Sequence, residues 1–129
     1  MITTSGKRKR AIARASLKKG KGSVSINGIP LENYTPKYAQ MKIMEPIILI
    51  GEKAKKIDVS IRTNGGGVMS QADASRLALS RALVEFDESN EETLLDYDRK
   101  LLVADVRRRE SRKPNTRGNA RAKRQKSYR

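Results

Sequence analysis

Ile57-Asp58-Val59-Ser60-Ile61-Arg62-Thr63-Asn64-Gly65-Gly66-Gly67-Val68-Met69-Ser70-Gln71-Ala72-Asp73 is the stretch on which the fold turns. Ile57, Val59 and Ile61 alternate with Asp58, Ser60 and Arg62, the period of a half-buried strand. Three consecutive glycines then break the alternation. Ser70 stands three residues before Asp73, a pattern that predicts a capped helix start. From Gln71 to Phe86, residues Ala72, Leu79, Ala82, Leu83 and Phe86 fall on one apolar stripe, with Leu77 and Ala78 at its margin. That spacing predicts a helix of about four turns.

Working outward, Ala11, Ala13, Ala15 and Leu17 alternate with Ile12, Arg14 and Ser16 as a second strand. Lys18-Lys19-Gly20-Lys21-Gly22 reads as a turn and Ser23-Val24-Ser25-Ile26 as the returning strand, a hairpin with a basic tip. Asn27-Gly28 and Pro30 end it. Pro36 to Met44 is predicted helical, with Pro46 as its stop, because proline lacks the helical N–H. Glu91 to Leu102 is a further, shorter helix. No internal repeat is present. Strands first, then strand, glycine loop and helix, predict an α+β fold. It is a two-layer sandwich with helices on one face of a mostly antiparallel sheet.

The 129 residues carry 29 Lys+Arg against 14 Asp+Glu, for a net charge of +15. Residues 1–22 hold eight cations, Lys7, Arg8, Lys9, Arg10, Arg14, Lys18, Lys19 and Lys21, and no acid. Residues 107–129 hold eleven cations and one acid, Glu110, while the 84 residues between are slightly acidic. The predicted organisation is a globular domain over 1–106 with a basic N-terminal arm, then a basic extended tail over 107–129. The tail has Pro114, Gly118 and no aliphatic residue larger than Ala, so it should be disordered when free. Extended, it would reach on the order of 75 Å. Self-repulsion on this scale calls for an anionic partner, and nucleic acid fits best.

The absences exclude whole classes. With no Cys there is no disulfide, thiolate zinc site or Cys nucleophile. With no His, the usual general base and the commonest metal ligand are gone. No enzyme, cofactor or metal is expected, and aromatics at 4% supply no base-stacking platform. Ile47-Ile48-Leu49-Ile50 is far too short to span a bilayer, which takes roughly 20 residues. No signal-peptide pattern precedes Lys7, so a soluble, cytoplasmic protein is expected. The acid pairs Asp87/Glu88, Glu91/Glu92 and Asp96/Asp98 could hold Mg²⁺, but their spacing fits solvated helix faces. A strand, Gly65-Gly66-Gly67 and a helix start can converge backbone N–H groups on an anion. The segment matches neither the G-x-x-x-x-G-K-[ST] nor the G-x-G-x-x-G nucleotide pattern. A mere turn and close approach to an RNA backbone both remain open readings.

Several motifs together resemble one family. Gly6-Lys7-Arg8-Lys9-Arg10-Ala11-Ile12-Ala13-Arg14 and Ile26-Asn27-Gly28-Ile29-Pro30-Leu31-Glu32-Asn33-Tyr34 open the match. Asp58-Val59 through Gly65-Gly66-Gly67, Ser70-Gln71-Ala72 and Ser80-Arg81-Ala82-Leu83-Val84 continue it. Asp105-Val106-Arg107-Arg108-Arg109-Glu110 and Gln125-Lys126-Ser127-Tyr128-Arg129 close it. The chain resembles the universal small-subunit ribosomal protein S-nine family, in its archaeal or eukaryotic-type branch. Pro114-Asn115-Thr116-Arg117-Gly118 departs from the glycine-richer segment of many relatives.

The resemblance implies a two-layer α/β fold like the second domain of ribosomal protein S-five. It implies a structural role in the 30S head on the 3′ major domain of 16S rRNA, beside neighbouring head proteins. The tail would then reach the peptidyl-site tRNA. The rRNA-binding set is Lys7, Arg8, Lys9, Arg10, Arg14, Lys18, Lys19, Lys21, Gly65, Gly66, Gly67, Gln71, Arg107, Arg108, Arg109, Arg112, Lys113, Arg117 and Arg121. The tRNA-binding set is Lys123, Arg124, Lys126, Tyr128 and Arg129. The competing class is a non-ribosomal nucleic-acid binder, which high salt would strip from a 30S particle.

Overall fold

In the computed structural model, residues 1–121 and 127–128 are described. Strand β1 (Ile2–Arg8) runs antiparallel to β2 (Ala11–Lys19), and Arg8 faces Ala11 across a two-residue turn. Lys9 in that turn takes φ +52°, a conformation few non-glycine residues adopt. β3 (Val24–Ile26) pairs antiparallel with the short β4 (Ile29–Pro30). Helix α1 covers Lys37–Ile50, β5 Ile57–Asn64, α2 Val68–Phe86 and α3 Ser89–Tyr97. The sheet order is β1-β2-β5-β3-β4.

The expected hairpin between Ala11–Leu17 and Ser23–Ile26 does not form. β5 lies between the two, antiparallel to β2 and parallel to β3. Ile57, Val59 and Ile61 make β5 the strand best suited to the sheet centre, where both edges are paired. The Lys18–Gly22 turn is instead closed onto β5. Gly20 N–H donates to Lys56 O at 2.9 Å, and Asp58 accepts from Lys21 and Ser23 N–H.

One face of the sheet is covered. Ala11, Ala13, Ala15 and Leu17 of β2 and the three aliphatics of β5 are buried against Ala72, Ala78, Leu79, Ala82 and Leu83 of α2. Each large aliphatic buried this way contributes roughly 1.5–3 kcal/mol. Ser75 and Ser80 are buried in α2 with their hydroxyls donating to the carbonyls of Gln71 and Arg76 four residues back. Gly6 lets β1 lie on α2. A Cβ there would stand 2.3 Å from Ala74 O and 2.6 Å from Ala78 N.

Three expected boundaries change. α1 runs through Pro46 to Ile50, although Pro46 was expected to stop it. Ala39, Ile43 and Pro46 lie buried on its inner face with Ile47 and Ile50 packed alongside. That burial outweighs the roughly 3 kcal/mol cost of an internal proline. The helix expected over Glu91–Leu102 is α3 followed by a single 3-10 turn at Arg99–Leu101, which Asp98 caps by accepting from Lys100 N–H. α2 starts earlier than expected, with Gly67 rather than Ser70 at its N-cap and no side-chain cap bond.

Candidate nucleic-acid interface

The β1–β2 turn, the glycine loop and the tail root meet at one end of the sheet. They line an open basin of about 1000 Å³ formed by Lys9, Arg10, Gly66, Gly67, Ser70 and residues 107–112. Two of the three glycines are dictated by the turn. Gly65 (φ +76°) and Gly66 (φ +65°) hold left-handed conformations that an L side chain resists. A Cβ on Gly65 would stand 2.7 Å from Arg10 O, and one on Gly66 3.0 Å from Ala11 N. Gly67 is different: nothing lies within 4 Å of its Cβ position. Gln71 reaches back from α2 and donates Nε2 to Gly65 O at 3.1 Å, fixing the loop on the helix start. The uncapped first N–H groups of α2 thus face the basin with the positive end of the helix dipole.

The expected cations at this end of the sheet divide into two groups. Lys9, Arg10, Arg109 and Arg112 line the basin and form no ion pair among the described residues. Arg108 also lines it and reaches toward Lys9 O at 3.5 Å. Arg8 turns to the helix side of β1. It meets Asp73 at 3.8 Å and Asp105 at 2.5 Å. Arg107 grips the same Asp105 through Nε and Nη2, at 3.0 and 2.7 Å. The Arg107 guanidinium, with its backbone N–H and nearby Arg8, holds the Asp105 carboxyl far below the usual carboxylate range. Arg76 pairs with Glu45 and with Asp98 at 3.3 Å, and Lys42 with Asp73 at 2.7 Å. Arg81, from α2, donates to Ser5 O and Leu102 O. A smaller cleft of about 230 Å³ runs along this seam, lined by both signs of charge.

The remaining expected residues lie elsewhere. Arg14 and Lys18 are on the uncovered face of the sheet, and Lys19 and Lys21 lead into the Lys18–Gly22 turn. Within the tail, Arg121 pairs with Glu110, whose pKa falls as a result, and Lys113 N–H donates to Asn119 O. Arg117 lies in the bend between them. Tyr128 is 88% exposed, while Lys123, Arg124, Lys126 and Arg129 lie outside the described residues. Arg62, not among the expected site residues, stands on the uncovered sheet face beside Arg14. Its signal was in the sequence, since Asp58, Ser60 and Arg62 are the polar phase of β5.

The acid pairs do other work. Asp87 pairs with Lys53 at 2.6 Å and accepts from Ser89, which lowers its pKa to about 2. Among the described residues no group of three acids is placed to hold a metal ion. No helix there is long and apolar enough to cross a membrane.

Residues 6–129 match a family model described as ribosomal protein S9/S16. A curated relative from Methanococcus maripaludis, strain C7, is 54% identical over 132 residues, covering 100% of this chain and 98% of its own. A relative from Thermoplasma volcanium is 54% identical over 130 residues, covering 99% and 98%. One from Thermoplasma acidophilum is 53% identical over 131 residues, covering 100% of both. All three carry the name small ribosomal subunit protein uS9.

Proposed function

The chain belongs to the ribosomal protein S9/S16 family, and from that premise we propose that it is a structural constituent of the small ribosomal subunit. It holds ribosomal RNA in the cationic basin and extends its tail toward the peptidyl-site tRNA. The observation that carries the reading is the basin itself. It brings Lys9 and Arg10 from the first turn together with Arg108, Arg109 and Arg112 from the tail, about a hundred positions later. Arg forks match phosphate oxygens and keep their charge at any cellular pH. Gly67 leaves the uncapped start of α2 open to a backbone phosphate.

The RNA is the 3′ major domain of 16S rRNA, in the head of the subunit, and the protein partners are its neighbours there. Lys7, Lys113 and Arg117 add charge around this contact, and Lys19 and Lys21 offer a separate cationic turn at the opposite end of β2. Lys123, Arg124, Lys126, Tyr128 and Arg129 meet the tRNA, with Arg129 on anticodon-stem phosphates.

Two measurements test the reading. The first is affinity for small-subunit rRNA across a salt series. If about ten cations neutralise phosphates, log K falls against log[salt] with a slope of roughly −7 to −9. A slope shallower than about −3 overturns rRNA binding by the basin and tail. The second is deletion of Ser127-Tyr128-Arg129, which removes no buried residue among those described. It leaves the Tm and subunit assembly unchanged and speeds tRNA dissociation from the peptidyl site. An unchanged dissociation rate in fully occupied particles refutes the tail's role.

A further inference from the structure

The sheet has a second face, and among the described residues no helix covers it. Thr3 and Ser5 of β1, Arg14 and Ser16 of β2, and Ser60 and Arg62 of β5 all point to it, because their neighbours in each strand are turned inward. The register aligns them in cross-strand rows. Thr3 faces Ser16, Ser16 faces Ser60, and Ser60 faces Ser25 of β3. In the next row Ser5 faces Arg14, and Arg14 faces Arg62. The serine row borders a cleft of about 330 Å³.

Like charges directly opposite one another in a sheet are destabilising. Both arginines are exposed, and neither side chain forms an ion pair or hydrogen bond among the described residues. Asp58 is the acid on this face. It sits four residues from Arg62 along β5, about 13 Å away at strand rise, and its carboxylate is taken by Lys21 and Ser23 N–H. The face carries no aromatic ring at these positions, so it cannot stack bases. What remains is a pair of arginines set opposite one another by the register and flanked by hydroxyl donors, the chemistry that recognises a phosphate.

We propose that the Arg14–Arg62 pair on the open sheet face is a second RNA-backbone site, separate from the basin, in which the two guanidinium groups converge on phosphate and the serine row donates to the adjoining sugar-phosphate chain. The site rests on the reading of the protein as an rRNA binder and extends its contact from one end of the sheet across its uncovered face. The like-charge pair, costly in the free protein, is neutralised on binding.

The test compares the full-length Arg14→Gln/Arg62→Gln double variant with Arg109→Gln in the basin. Each is titrated against refolded small-subunit rRNA over a salt series and mapped by hydroxyl-radical footprinting. The double variant weakens binding about tenfold at moderate salt, reduces the salt slope by about 1–2, and loses protections that Arg109→Gln retains. Its Tm equals or exceeds that of the parent, since repulsion is relieved. Unchanged affinity, slope and footprint in the double variant, with a loss in Arg109→Gln, overturns the sheet site and leaves the basin standing. No loss in either variant also overturns the sheet site, and a parent salt slope shallower than about −3 overturns the rRNA reading itself. A lower Tm with unchanged affinity assigns the pair a structural role and also overturns the site.

Discussion

The seam between β1 and α2 and the basin at the sheet's end are both rich in arginine, yet they treat it oppositely. At the seam, Arg8, Arg76 and Arg107 each meet carboxylates, from Asp73, Asp98, Asp105 and Glu45. In the basin, Lys9, Arg10, Arg109 and Arg112 face solvent with no such partner among the described residues. Arg8 and Lys9 are consecutive, and strand alternation followed by a turn sends them to different duties. Charge counted along the chain therefore overstates what is offered to RNA. Part of it holds the body together and fixes where the tail departs.

The sharpest break in this comparison comes from glycine. Gly6→Ala drives a methyl into the backbone of α2 at the seam and costs about 1–3 kcal/mol. It is read as a fall in Tm of several degrees, and an unchanged Tm would mean the seam is loose. Gly66→Val strains the basin wall by a comparable or smaller amount, about 1–3 kcal/mol. Gly67→Ala costs only about 0.5 kcal/mol as an N-cap change, so its loss of RNA affinity at near-normal Tm separates access from folding. Should Gly67→Ala bind RNA normally, the glycine loop is a turn and no more.

A smaller effect sharpens the contrast from the other side. Asp105→Asn releases Arg8 and Arg107 from their shared carboxylate. Thermal melting shows a lower Tm, while filter binding shows RNA affinity undiminished. Reduced affinity at constant Tm would erase the distinction between seam and basin.

The smallest effect lies in acid. Asp87 and Asp105 both have folded-state pKa values below their unfolded ones, Asp87 at about 2 against 3.8. Such groups stabilise the fold above the unfolded value, and the contribution is lost as pH falls through the folded one. Tm stays flat from neutral pH to about 5 and declines between about pH 4 and 2. In Asp105→Asn that decline is shallower, since the carboxyl at 105 no longer titrates, while Asp58, Asp87 and Glu110 still do.

The centre of the fold was legible because β5 and α2 each follow one clean period, and burial obeys it. β1 was not. Ile2 is its one large aliphatic, and what seats the strand is an absence of side chain at Gly6, invisible to a hydrophobic pattern. The β2–β3 hairpin was misread because a central strand that arrives some thirty residues later displaces the local pairing. Proline at position 46 misled through its local rule, which tertiary burial overrode. In the candidate interface, the cationic turn and the glycines stood out by composition. The commitment of Arg8 to Asp105 did not, because no local pattern links residues 97 positions apart.

That separation also sets a schedule for synthesis. Translation at about 5–20 residues per second puts roughly 5–20 s between the appearance of Arg8 and that of Asp105. The β1–β2 hairpin can close within microseconds, but its helix-side face stays bare until α2 has emerged. Until α2 brings Asp73, Arg8 is a cation without a carboxylate, and until Asp105 follows it lacks the nearer of its two partners. The nascent chain thus passes through a stage with one more unpartnered arginine than the finished fold, which the arrival of Asp73 and then Asp105 ends.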